Sequence, residues 1–260
     1  DQFNNNLEIY AGTLNITGHI KLDYTDEQVS PSPNKGYLRI QVDEFYLDEG
    51  YIDGKSSNLR DTSTTIENGD SGTLTINAST SVYINNSRIL SHGGYVNSDT
   101  GNNTAGNGGE LTIISSGNCN ISNSNLTSYG GHGNTSATNA NVTAGNGSNI
   151  NITATRIYLT DSNLESYGGF AQILNGAVST KTYAGNGGNI TLDADFVKVT
   201  NSVLNASGGF AYSDFGAGAC SENPGNAGHI FITSGYVSDD YTSFADSTFY
   251  TEGGDSVTSS

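Results

Sequence analysis

Apolar residues in this chain alternate with polar ones, and short runs of that alternation return about every 40 residues. Leu74/Ile76, Leu111/Ile113, Ile150/Ile152, Ile190/Leu192 and Ile230/Ile232 occupy the same two alternate sites, and Leu38/Ile40 and Leu14/Ile16 extend the series backwards. A second run follows, at Val82/Ile84, Cys119/Ile121, Ile157/Leu159 and Val197/Val199. Period two is the signature of strands with one face turned inward. No apolar stripe of helical period persists anywhere.

The polar segments repeat as strictly. Ala105-Gly106-Asn107-Gly108-Gly109 returns at Ala144, Ala184 and Pro224, with starts 39, 40 and 40 residues apart. An Asx-Ser turn closes each second run, at Asn86-Ser87, Asn123-Ser124, Asp161-Ser162, Asn201-Ser202 and Asp246-Ser247. A short strand and a Gly pair follow, at Gly93-Gly94, Gly130-Gly131, Gly168-Gly169, Gly208-Gly209 and Gly253-Gly254. Asx and Ser bond nearby backbone in turns, and Gly suits positions that need positive φ. Each unit therefore reads as strand, strand, turn, short strand, Gly-Gly and variable loop.

One such unit cannot bury its apolar face, but stacked units can. The expected fold is all-β: a right-handed parallel β-helix of about seven rungs with long variable loops, in one domain over residues 1–260. Residues 1–67, with Pro31 and Pro33, are expected to form irregular cap rungs, 68–254 the regular repeats and 255–260 a tail. Leu74, Leu111, Ile150, Ile190 and Ile230 should form one buried column. A β-sandwich is the competing architecture, and five in-register copies of the Asx-Ser turn argue against it.

The segment Gly185-Asn186-Gly187-Gly188-Asn189-Ile190-Thr191-Leu192, with Val197-Lys198-Val199 and Asn201-Ser202, resembles the repeats of filamentous-haemagglutinin-type adhesins. The likeness covers residues 68–254. It implies an exported parallel β-helix at a cell surface, with a prokaryotic (archaeal) surface filament or sheath subunit among the forms it suggests.

Composition narrows the function. There are 34 Gly, with Asn, Ser and Thr at 32, 32 and 28, so few apolar residues must be used efficiently. The net charge is −17, from 9 Lys+Arg against 26 Asp+Glu. Nucleic acid and anionic membranes are thereby disfavoured, since both require clustered basic charge. No apolar run is long enough to span a membrane. The chain starts at Asp1 and contains no Met, which suggests an export signal already removed.

No catalytic constellation emerges. Gly131-His132-Gly133 and Asp239-Asp240 resemble two polygalacturonase motifs, but in reversed order, and the expectation is that the chain is not an enzyme. His19, His92, His132 and His229 are not at zinc-ligand spacing. Acidic residues at Asp43, Glu44, Asp48, Glu49 and Asp53 make calcium conceivable, but a solvated surface is the simpler reading, so no cofactor is expected. The Gly-rich phrases lack the Lys-Ser/Thr and the helix of a phosphate loop. Twelve Asn-x-Ser/Thr sequons stand at Asn15, Asn77, Asn85, Asn102, Asn120, Asn125, Asn134, Asn141, Asn146, Asn151, Asn189 and Asn205, which makes covalent glycans expected partners. Cys119 aligns with inward positions and is expected to be a buried free thiol, not bridged to Cys220.

Two functions fit: an extracellular structural protein that self-assembles through its ends into a filament, sheath or layer, and an adhesin-type module that binds carbohydrate or a host surface. An exposed aromatic groove would favour the second.

Overall fold

A computed structural model describes residues 6–22, 36–56, 59–61, 65–98, 101–137, 140–174, 181–213, 221–235 and 242–258. It is a parallel β-solenoid without helices among these residues. Each turn visits four sheets in sequence. In one turn these are Ile150–Thr160 in the first sheet, Asn163–Tyr167 in the second, Ala171–Ile173 in the third and Lys181–Tyr183 in the fourth.

Every strand pairs in parallel with its equivalent one turn away, so like residues stack at roughly 4.8 Å. Leu74, Leu111, Ile150, Ile190 and Ile230 form one column, continued downward through Leu38 to Leu7. Leu111, Ile150 and Ile190 are fully enclosed, whereas Ile230 is half-buried because no described strand lies above it. The two apolar runs of a unit usually form one long strand, as in Thr73–Asn85 and Ile190–Thr200. In two turns the strand is split, into Leu111–Ser115 and Asn118–Ser122 around Gly117 and into Ile230–Ser234 and Ser243–Ala245. Strands Asn6–Ile16 and Tyr37–Asp48 also join the first sheet, with one register shift between Val42 and Glu44.

Three expectations are corrected. First, the solenoid closes with all four sides fully described over about four turns, 73–223, and not over seven. Seven strands stack along the first sheet's main path and in the second sheet, but only six and five in the third and fourth. Second, the variable loops contain strands that the sequence reading did not place. Each carries two three-residue strands, such as Gly133–Thr135 and Asn141–Thr143, that build the third and fourth sheets as a side lobe. The lobe has small cores of its own, one of them formed by Val142, Ala144, Ala171 and Ile173.

Third, the repeated glycines are not needed for positive φ. That conformation falls on the Asx residues: Asn86, Asn123, Asp161, Asn201 and Asp246 lie at φ 46–50°, and Glu49 takes the same place one turn earlier at 52°. Asx tolerates this region better than other side chains do. The serine after it completes the turn. Ser162 Oγ donates to the Thr160 carbonyl at 2.8 Å and accepts the Ser124 N–H at 3.2 Å, while the Ser162 N–H donates to Ser202 Oγ at 3.1 Å. The pattern runs from Gly50 to Ser247 and satisfies backbone donors that burial would otherwise strand.

The glycines serve close approach instead. One glycine from each Gly pair and one from each Ala/Pro-Gly-Asn phrase alternate in a zigzag of backbone hydrogen bonds. It climbs from Gly69 through Gly94, Gly106, Gly131, Gly145, Gly169, Gly185 and Gly209 to Gly225, with N–H to O distances of 2.7–3.2 Å. This is a neck where the two crossings of each turn meet, with the main core on one side and the lobe on the other. A Cβ on Gly145 would lie 1.8 Å from the Gly106 carbonyl oxygen.

Gly145→Ala is therefore expected to cost about 3 kcal/mol or more, because backbone and not a flexible side chain must move. Gly18→Ala, where a Cβ meets nothing within 4 Å, should be close to neutral. Ile190→Asp should abolish folding by burying an unpaired charge. Urea denaturation of the three variants checks all of these.

Candidate functional site

Where each turn leaves the second sheet for the lobe, the Gly pair forces a concave corner. The last residue of the second-sheet strand stands on one side: His92, Tyr129 and Tyr167 in successive turns. The residue after the Gly pair stands on the other: Tyr95, His132, Phe170 and Phe210, as the pairing of the third-sheet strands fixes. Buried glycines form the floor. The result is a trough with aromatic walls.

Rings stack within each wall. The centroids of His92 and Tyr129 lie 4.5 Å apart, those of Tyr129 and Tyr167 5.0 Å, those of His132 and Phe170 3.9 Å and those of Phe170 and Phe210 5.2 Å. A cavity of about 340 Å³ opens at the lower end of the trough, lined by Lys55, His92, Tyr95, Tyr129 and His132 over the Gly93, Gly130 and Gly131 backbone.

The polar atoms of these walls are held in defined roles. Tyr129 donates its hydroxyl to Glu165 Oε2 at 2.6 Å, and Tyr167 donates to Glu165 Oε1 at 3.2 Å. Burial, followed by the bond to Glu165, pushes the Tyr129 phenol well above its ordinary range; burial raises Tyr167 to about 12. Burial holds His132 down at about 4. Burial also holds His92 at about 4, with the charges of Asp53 and Lys55 acting in opposite directions. His132 Nδ1 accepts the Phe170 N–H at 3.1 Å, so the neutral ring carries its proton on Nε2.

A second feature lies at the last rung. Ile230, Ile232, Ser234, Thr242, Phe244, Phe249 and Thr251 line an open cavity of about 540 Å³. Phe244 and Phe249 continue the inward columns of Val199 and Leu204, yet are 48% and 40% exposed.

The sequons separate by environment. Asn15, Asn77, Asn102, Asn141 and Asn146 are exposed; Asn85, Asn120, Asn125, Asn134, Asn151, Asn189 and Asn205 are half-buried. Among the latter, the amide nitrogens of Asn85, Asn134, Asn151 and Asn205 donate to Asp48, Tyr95, Glu110 and Tyr167. Asn107, Asn146 and Asn186 each use Oδ1 to accept the N–H of the Asn one turn on, at 2.8 Å, in a ladder that begins on Asp70. Cys119 is a free, buried thiol, raised by burial to about 12. Cys220 and Asp239-Asp240 lie outside the described residues. Among the described residues, no group of three or more His, Cys, Asp and Glu is placed to hold a metal ion, and no helix is long and apolar enough to cross a membrane.

Sequence reasoning did not assemble the trough, since its opposite wall starts the lobe strands. It also passed over Ser91, Ser128 and Ser166, a buried column whose hydroxyls bridge the second sheet to the start of the first. The signal was present as Ser at one fixed distance before each of three Gly pairs. Comparison with protein-family models, with curated proteins and with solved structures finds no match.

The two depressed histidines set a pH dependence. The unfolded chain protonates them near 6.5, the folded chain only near 4. Between these values the unfolded state takes up protons that the folded state refuses, so stability falls as pH drops. The loss is up to about 1.4 kcal/mol per pH unit for each histidine. Urea midpoints at pH 7 and 5 should differ less in a His92→Tyr, His132→Phe double variant, which extends each wall with its own residue type.

Proposed function

We propose that this solenoid is an extracellular, non-enzymatic structural protein that assembles head to tail through its two ends. The last described rung, where Phe244 and Phe249 are exposed beside a cavity, carries this reading. Its cavity lies over the ends of the inward columns, and the same columns begin in the first described rung. Leu7 heads the column that ends in Ile230, Ile9 the one that ends in Ile232, Ile16 the one that ends in Phe244 and Ile20 the one that ends in Phe249. A second copy seated on the last rung would continue every column and pair its first strand with an open parallel edge, the kind of edge that invites strand addition. Contact of this heterologous type propagates into fibres when it does not close.

The resemblance to filamentous-haemagglutinin-type repeats, the strong negative charge and the twelve sequons support an exported, cell-surface setting. In that setting the exposed acceptors Asn15, Asn77, Asn102, Asn141 and Asn146 carry glycans in preference to the four whose amide nitrogens are already bonded. Glycopeptide mapping of native protein checks this; an intact mass equal to the bare 27.1 kDa overturns it.

Phe249→Asp blocks one end and Leu7→Asp the other. Wild type should form polymers visible by sedimentation and electron microscopy at neutral pH, and each variant alone should stay monomeric. An equimolar mixture of the two should stop at a 1:1 dimer, because one intact head meets one intact tail. Wild-type protein that remains monomeric at high concentration, or a mixture that yields no dimer, refutes head-to-tail stacking.

A further inference from the structure

We infer that Asn68-Gly69 is a site of self-modification, at which the folded chain slowly converts Asn68 to aspartate and isoaspartate. This inference is independent of the assembly through the ends, because it concerns the foot of the glycine neck.

The first argument is the place of Asn68 in the repeat. It stands where later turns carry Ala105, Ala144 and Ala184, and all four donate their N–H to the turn above in the same way, at 2.8–2.9 Å. In the later turns the glycine that follows donates its N–H to a neck glycine: Gly106 to the Gly94 carbonyl, Gly145 to Gly131 and Gly185 to Gly169. Gly69 starts the neck, and its N–H donates to Asn68 Oδ1 at 2.7 Å. Asn68 thus caps the first neck glycine with its own side chain. Its Nδ2 donates to the Tyr95 carbonyl at 2.8 Å, so the carboxamide is held in place, and the residue is buried.

The second argument is the chemistry of that contact. The backbone nitrogen after an asparagine is the nucleophile that can close a five-membered imide on the side-chain carbonyl. Glycine leaves this nitrogen unshielded, since it has no Cβ. The carbon to be attacked is one bond from the contacted Oδ1, which holds it within reach of the about 3–3.5 Å at which reacting groups are poised. A bond forms from the Gly69 nitrogen to Asn68 Cγ and the Cγ–Nδ2 bond breaks. The Gly69 proton departs with Nδ2 as ammonia. Water then opens the imide at either carbonyl, which gives aspartate or isoaspartate, and nothing is oxidised or reduced.

The third argument is contrast with the other described Asn-Gly pairs, Asn107-Gly108, Asn146-Gly147 and Asn186-Gly187. There the glycine N–H groups donate to the Asn146, Asn186 and Asn226 carbonyls one turn on, at 2.8 Å each. The asparagine Oδ1 atoms accept N–H groups of that same next turn. Both reacting groups are committed to a neighbouring turn, so attack there must wait for local opening. At Asn68 they already face each other.

The product loses the Nδ2 donor and sets a buried carboxylate against the Tyr95 carbonyl oxygen. The isoaspartate form also lengthens the main chain at the foot of the neck. Conversion therefore loosens the first described turn of the lobe.

The test is incubation of the folded full chain in mildly alkaline buffer, with peptide mapping that separates asparagine, aspartate and isoaspartate. Asn107 and Asn186 are the references, since neither lies in a sequon. Asn68 should convert about tenfold faster than either, an advantage of position alone. In urea the three rates should converge. Aged protein and an Asn68→Asp variant should each unfold at a lower urea concentration than fresh wild type. Conversion at Asn107 or Asn186 that keeps pace with Asn68 in the folded chain overturns the inference. So does an Asn68 that stays intact in the folded chain while unfolded protein converts there. An Asn68→Asp variant as stable as wild type overturns the loosening of the lobe.

Discussion

The structure depends on a backbone contact that permits no side chain. At the neck, two crossings of each turn approach until glycine N–H groups bond glycine carbonyls across the gap, and every second bond links neighbouring turns. The contact fixes the register of the first sheet against the second and separates the main core from the lobe. It also makes the low floor of the trough. Turn closure, stacking and the candidate site therefore share one cause. The repeat keeps glycine at these places because any Cβ would sit inside a carbonyl group one turn away.

Around this contact, like residues stack on like, and each kind of ladder settles a different problem. Aliphatic columns remove apolar surface from water, at about 25 cal/mol per Å². Serine columns bond the backbone groups that the turns bury. Asn ladders do the same on the outer edge. Aromatic columns gain from offset stacking, and they spend ring faces on one another in doing so. A stacked wall therefore presents mostly ring edges to the trough.

Much of this was legible in the sequence. The inward columns, the Asx-Ser turns and the roughly 40-residue period are written in residue types that only stacking explains. What was hidden has physical reasons. The lobe strands Asn102–Thr104, Gly133–Thr135 and Lys181–Tyr183 are three residues long and have little apolar alternation, so pattern cannot mark them; the neighbouring turn alone makes them strands. Glycine was assigned to positive φ when its role was contact, because sequence shows which residue is small but not what lies against it. Glu49-Gly50 escaped as a turn because neither residue matches Asx or Ser, although Glu49 adopts the same left-handed conformation and the Gly50 N–H donates to Ser87 Oγ. The trough needed both walls, and the second wall belongs to the lobe.

The distribution of exposed apolar residues bears on how such a body associates. Along the sides, exposed apolar groups such as Ile114 and Tyr183 stand among polar residues. In the last described rung Phe244 and Phe249 come together, with ring centroids 5.5 Å apart, and in the first Leu7 is exposed. The acidic sides repel one another across a Debye length of about 8–10 Å at moderate salt, which works against lateral packing. Axial stacking brings together fewer charged groups and covers the apolar columns. In the head-to-tail assembly we propose, the same charge that keeps the sides apart leaves the solenoid axis as the direction of growth, and the trough, running parallel to that axis, stays open along the sides of each stacked copy.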